Sequence, residues 1–256
     1  MEIYTYGIID SNAKIDNFIT GLTGAQIYNI PYCDIGIVAS KFDRQIQAVT
    51  KDLVLEHEEI VERLMENFTV LPMRFFTVFN KKEDVLSMLQ DYYTDFKQNL
   101  DKLHNKVEFG VKAIWPGDAI RGRITDACSK VNVSITKSAP GRNFIMKKLE
   151  KYKIDKEFEK EADKHIAVID NVFSQYAVEK KLRKLNSNIL FLRAYYLVTK
   201  DRQDDFKKAF EQFRTTHNDV KYLFSGPWPP YNFIHLTKKS NLLQNFCLID
   251  YFNIKF

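Results

Sequence analysis

The run Lys221 to Phe233, KYLFSGPWPPYNF, limits the fold more than any other stretch of this chain. Tyr222, Leu223 and Phe224 read as the end of a buried strand. Gly226 then supplies conformational freedom, while Pro227, Pro229 and Pro230 each fix φ and remove a backbone donor, which bars a helix and a central strand alike. The segment must be a rigid, extended corner, and Trp228 and Tyr231 are large enough to anchor it against a core. Two uses are open to it: a strand-to-strand corner pinned by its aromatics, or a stiff aromatic and proline surface for recognition.

A corner of this kind needs cores to pack against, and 256 residues at 45% hydrophobic and 14% aromatic supply them, as one large domain or two of ordinary size. No apolar run approaches the ~18 residues of a membrane span, and Met1 to Asp10 lacks the basic and apolar regions of a secretory signal. The expectation is a soluble cytoplasmic protein without membrane partners. Cys33, Cys128 and Cys247 are few, odd in number and far apart, which fits reduced thiols better than a disulfide framework or a zinc site. The net charge of +5 conceals a split: residues 1–118 carry 12 basic against 18 acidic residues, and the remainder 26 against 15. Such asymmetry suits an acidic partner for the basic half, nucleic acid included, or two domains whose faces attract each other.

Glu2 to Asp10 reads as a strand, and Asp34 to Lys41 as a second beyond the breakers Gly21, Gly24 and Pro31. No Lys-Ser or Lys-Thr follows the glycines at the spacing of a phosphate-binding loop. Asp52 to Phe68 places Val54, His57, Val61, Leu64, Met65 and Phe68 on one helical face. His57 could be a base, a ligand or a buried hydrogen-bonded ring; Val61 stands where a zinc-binding HExxH helix needs its second histidine, which favours the buried ring. Thr69 to Phe79 is apolar on both alternating faces, as in a strand covered on both sides, with Pro72 near its start or at a bulge. Arg74 within it either holds a partner in this chain or recognises another. Asn80 with Glu83 resembles a capping box opening a helix to Leu103, and Lys106 to Trp115 alternates as a further strand.

These elements make residues 1–116 an α+β sheet domain. Residues 117–140 read as a connector with a short apolar alternation at Val131, Val133 and Ile135, and residues 141–256 as the second domain. That domain opens with a helical region from Gly141 to Leu185, whose seam is Phe158, Ala162, His165, Ile169, Val172 and Tyr176. The lysine clusters along it alternate with acids, as a solvated face does. Asn188 to Thr199 is a strong strand, Asp201 to Thr216 an amphipathic helix, and Val220 to Phe233 the strand and its corner, which suggests a ferredoxin-like arrangement. The aromatic signature of an RNA-recognition module is absent from it.

Taken together, Tyr4-Thr5-Tyr6-Gly7, the His57 helix leading into Val70-Leu71-Pro72-Met73-Arg74-Phe75, Val107-Glu108-Phe109-Gly110-Val111-Lys112, Gly141-Arg142 and Gly226-Pro227-Trp228-Pro229-Pro230-Tyr231 resemble the gas vesicle protein family of GvpF and GvpL. The likeness spans almost the whole chain. It departs at Phe76, where the family usually has a glycine before the threonine, and in a tail from Thr237 to Phe256.

The resemblance implies an α+β N-terminal domain, a modified ferredoxin-like C-terminal domain with a long helical region, and an accessory or minor structural protein of gas vesicles. It implies partners in the hydrophobic shell protein and other accessory proteins, location in the cytoplasm and on the vesicle, and no catalytic residues, cofactor or metal. The motif residues it marks for interaction are His57, Pro72, Arg74, Arg142, Gly226, Pro227, Trp228, Pro229, Pro230 and Tyr231. Two other readings stand beside it: an enzyme built on His57 with Glu56, Glu58 and Glu59, and a nucleic-acid-binding protein using the basic C-terminal half.

Overall fold

A computed structural model of the chain describes residues 2–13, 15, 19–42, 50–115, 122, 140–185 and 189–237, without the side chains of 140–147 and 150. It separates into two compact units, one formed by Met1–Glu108 with Gly226–Phe256 and the other by Phe109–Ser225. These do not coincide with the segments 1–116, 117–140 and 141–256: the proline corner is counted with the first unit. The alternation at Val131, Val133 and Ile135 lies outside the described residues, as do Cys128 and Cys247, while Cys33 is exposed and free.

The first unit is a sheet with helices. Its strands are β1 (Ile3–Ile9), β2 (Ile27–Tyr32), β3 (Ile35–Lys41), β4 (Val70–Pro72) and β5 (Val78–Phe79), and its helices α1 (Lys51–Asn67), α2 (Lys82–Asp91) and α3 (Tyr93–Leu103). The sheet runs β2-β3-β1-β4, with β5 also on β1, and the pairs are antiparallel. β1 is central and buried throughout. A register shift between Thr5 and Gly7 changes the parity of its side chains, so Tyr4 and Tyr6, then Ile9, enter one core with Val54, Ile60, Val61 and Leu64 of α1. The Thr50 hydroxyl caps α1 by accepting the Leu53 N–H at 3.3 Å.

Local departures from the sequence reading have physical reasons. β2 carries Pro31 yet forms, because it is an edge strand and a missing donor is tolerated there. The expected strand Thr69 to Phe79 is two short strands separated by a turn. The helix to Leu103 breaks at Tyr92 (φ −117, ψ 11), and Lys81 holds its N-cap position in place of the Asn80 box, with no side-chain cap.

The second sheet contains β6 (Lys106–Ile114), β7 (Glu179–Lys184), β8 (Leu190–Thr199) and β9 (Lys221–Trp228), in the order β7-β8-β6-β9. α4 (Pro140–Phe173) connects the first two of these strands in sequence and α5 (Gln203–Thr216) the last two, which is the ferredoxin-like arrangement. Its core is aromatic: Phe109 stacks on Phe206 at 4.9 Å between ring centres and on Phe224 at 5.3 Å, and Phe173 meets Phe206, Phe210 and Phe213. The helical region ends at Phe173, not Leu185, because Glu179–Lys184 is strand β7. That edge strand is polar and takes its hydrogen bonds from β8. β9 runs on through Gly226 and Pro227 to Trp228, at the opposite edge, where prolines are tolerated.

Candidate functional site

In the first unit, two of the sequence motifs meet around one turn. His57 is 0% exposed, stacked against Tyr6 with ring centres 5.6 Å apart. Its Nε2 faces the Met73 carbonyl at 3.1 Å, which accepts only, so Nε2 carries the proton and Nδ1 accepts from the Tyr4 hydroxyl at 2.9 Å. Burial pushes the imidazole down to about 4, with the Met73 carbonyl opposing, so the ring is neutral at pH 7. The Tyr4 oxygen in turn accepts the Phe76 N–H at 3.0 Å. A buried relay thus ties both sides of the turn to α1 and β1.

The backbone of β1 completes the hold. The Tyr6 carbonyl accepts the Met73 N–H at 2.8 Å, and the Thr77 carbonyl accepts both the N–H and the hydroxyl of Thr5. Tyr6 closes the other side of the core, where its hydroxyl accepts the Leu22 N–H at 2.8 Å and bonds Ser40. Pro72 is buried opposite Gly7. A Cβ on Gly7 would lie 2.7 Å from a Val70 methyl, so β4 can approach this closely only over glycine. The Tyr4-Thr5-Tyr6-Gly7 run and the Val70–Phe75 run therefore form a single built structure.

What that structure presents is small and exposed. The Thr77 N–H and hydroxyl both donate to the Arg74 carbonyl, closing a four-residue turn. Phe76, its third residue, has φ 68, the left-handed region usually reserved for glycine. Phe76 is 42% exposed, touching Phe42 edge-on at 5.4 Å and Phe75 at a tilt. Arg74 is exposed, and among the described residues its guanidinium has no ion-pair partner. The reading that a buried Arg74 holds a partner in this chain is thereby corrected: the turn carries it out of the strand that would have buried it.

The proline corner has a different character. Pro229, Pro230 and Phe233 are buried, Trp228 and Tyr231 half-buried, and Pro227 exposed after a cis peptide from Gly226. Polar bonds pin the chain beyond it. Glu108 accepts the Asn232 N–H at 2.8 Å and its side-chain amide at 2.5 Å. Asn99 exchanges two hydrogen bonds with the backbone of His235, and Asp95 accepts the N–H and hydroxyl of Thr237. Most of this corner is structure, with Pro229 and Pro230 buried. Arg142 lies in α4, where its side chain is outside the described set.

The carboxylates beside His57 face other tasks: Glu56 accepts the Thr23 N–H at 2.9 Å, Glu59 pairs with Arg63, and Glu58 is buried. In the second unit a groove of about 350 Å³ runs along α4 over Trp115, Phe158 and Phe191. Of the lysines that line it, Lys156 pairs with Glu159 and Lys184 with Asp163. Among the described residues no group of acids, histidines and cysteines could hold a metal ion, and no helix is long and apolar enough to cross a membrane.

Comparison with known proteins covers almost the whole chain. Gas vesicle protein F2 of Halobacterium salinarum is 24% identical over 246 residues, covering 92% of this chain and 93% of its own. Gas vesicle protein F of Haloferax mediterranei is 25% identical, covering 92% and 94%, and gas vesicle protein L1 of Halobacterium salinarum 23% identical, covering 90% and 89%. The crystal structure of GvpF from Anabaena sp. superposes with a TM-score of 0.78 at 18% identity, over 93% of this chain and 99% of that one. GvpF from Microcystis aeruginosa gives 0.76 at 18% identity, over 92% and 99%. With the family model of the gas vesicle synthesis protein GvpL/GvpF matching residues 2–235, this chain belongs to that family.

Proposed function

We propose that this protein is an assembly factor or minor structural component of gas vesicles, working in the cytoplasm and at the vesicle, that binds the hydrophobic shell protein and other accessory proteins. The observation that carries the reading is the family match over residues 2–235, which takes in both compact units. The physics supports it. Two well-packed units present side chains on backbone that is already ordered, so little conformational entropy is lost when an apolar partner docks. His57 has both ring nitrogens engaged in the core and works as a structural residue, so the reading assigns the protein no reaction.

Deletion in a vesicle-forming host, with a tagged copy restored for co-purification, tests the proposal. Loss of vesicles on deletion and recovery of shell protein with the tagged copy are expected. Normal vesicles in the deletion strain, with no vesicle component recovered, would overturn it.

A further inference from the structure

We propose that the face of α3 carrying Asp95 and Asn99, with Glu108 beyond it, is a peptide groove whose occupant, the strap Asn232 to Thr237, is exchanged between two copies of this chain.

The groove is built to hold an extended backbone. Asn99 donates to the His235 carbonyl at 2.6 Å and accepts the His235 N–H at 2.8 Å, a pairing that reads main chain and is indifferent to the side chain. The Asn99 amide also donates to the Asp95 carbonyl one turn back, at 2.7 Å, so α3 itself orients it. Asp95 accepts the Thr237 N–H at 2.9 Å and its hydroxyl at 2.8 Å, and Glu108 accepts from the N–H and amide of Asn232. Between these bonds Phe233 is 0% exposed, while Asn232, Ile234 and Leu236 are half-buried and His235 and Thr237 exposed. One buried aromatic anchor flanked by main-chain bonds is the way a groove holds a peptide. Asp95, Asn99 and Glu108 are themselves buried, and polar groups so placed require an occupant.

The bonds also say which occupant fits: a segment with an aromatic ring, an amide just before it and a hydroxyl four residues after it. A second copy carries that same sequence. The strap reaches the groove from β9 across Pro229 and Pro230, which fix φ and supply no backbone donor, so the link is stiff. Groove and strap re-form the same bonds whichever molecule supplies the strap, so exchange alters the link and leaves the contacts as they are. Two copies trading straps about a two-fold axis leave no groove empty.

The test uses full-length Phe233→Ala, whose own strap has lost its anchor, and a labelled peptide of residues 229–237, PPYNFIHLT. The peptide should bind this variant at least about tenfold more tightly than the parent, whose strap competes, and than the double variant Phe233→Ala, Asn99→Ala, whose groove is broken. Phe233→Leu keeps part of the anchor and replaces Phe233→Ala if the latter does not melt cooperatively. Mixed one to one at about 100 µM, Phe233→Ala and Asn99→Ala should give a dimer by light scattering that neither gives alone, since one supplies the groove and the other the strap. A peptide that binds none of these proteins, or all of them alike, overturns the groove. Peptide binding with no dimer in the mixture overturns the second copy and assigns the groove to an extended segment of another protein.

Discussion

His57 and Tyr4 join α1, β1 and the 73–77 turn through hydrogen bonds that have no water to fall back on. The imidazole, held at about 4 when folded, returns to its ordinary value of ~6.5 when the chain unfolds. The unfolded state therefore binds the extra proton first as pH falls. Stability from this residue is complete above pH ~6.5, declines between ~6.5 and ~4, and the total loss is about 3 kcal/mol. Urea unfolding at several pH values should show that slope, and His57→Gln should flatten it on a less stable protein. Tyr4→Phe leaves the Phe76 N–H and the His57 Nδ1 without their partner, which should cost about 1–3 kcal/mol. Phe76→Gly should do much less. It relieves left-handed strain on the order of 1–2 kcal/mol but loses ring contacts and adds freedom to the unfolded chain, leaving stability within about 1 kcal/mol of the parent.

Among elements, the corner and the segment after it decide whether the first unit is complete. Phe233 is buried there, and Glu108, Asn99 and Asp95 bond the chain on either side of it. Phe233→Ala should destabilise the protein by about 3–5 kcal/mol, measured by calorimetry. A fragment ending at residue 115 should bind a hydrophobic dye and lack a sharp melting transition, because that surface of α3 would be uncovered. The elements legible in the sequence were those with strong periodicity: α1, α5, β1, β6 and β8 bury one face or both, and their apolar residues show it. β2 and β7 were not legible, since edge strands tolerate Pro31 or consist of charged residues and owe their shape to a neighbour. The turn was hidden because Met73 to Val78 keeps strand-like alternation, and the hydrogen bonds that bend it come from residues distant in sequence. His57 as a buried bonded ring was readable from its helical face. Phe76 showed only as a departure from an expected glycine, and its φ supplies the reason.

Over the whole molecule, the chain leaves the first unit along β6, forms the ferredoxin-like second unit, and rejoins the first at Gly226. A unit built from two separated segments is completed only after the intervening residues have been made, so the first unit depends on the residues from Gly226 onward. The central proposal is that this protein handles the shell subunit of gas vesicles. Chemical crosslinking of the full-length protein in a vesicle-forming host, with attachment sites mapped by mass spectrometry, tests it most directly. The account predicts links from this chain to the shell protein. A map that contains links to other cellular proteins and none to any vesicle component would contradict it.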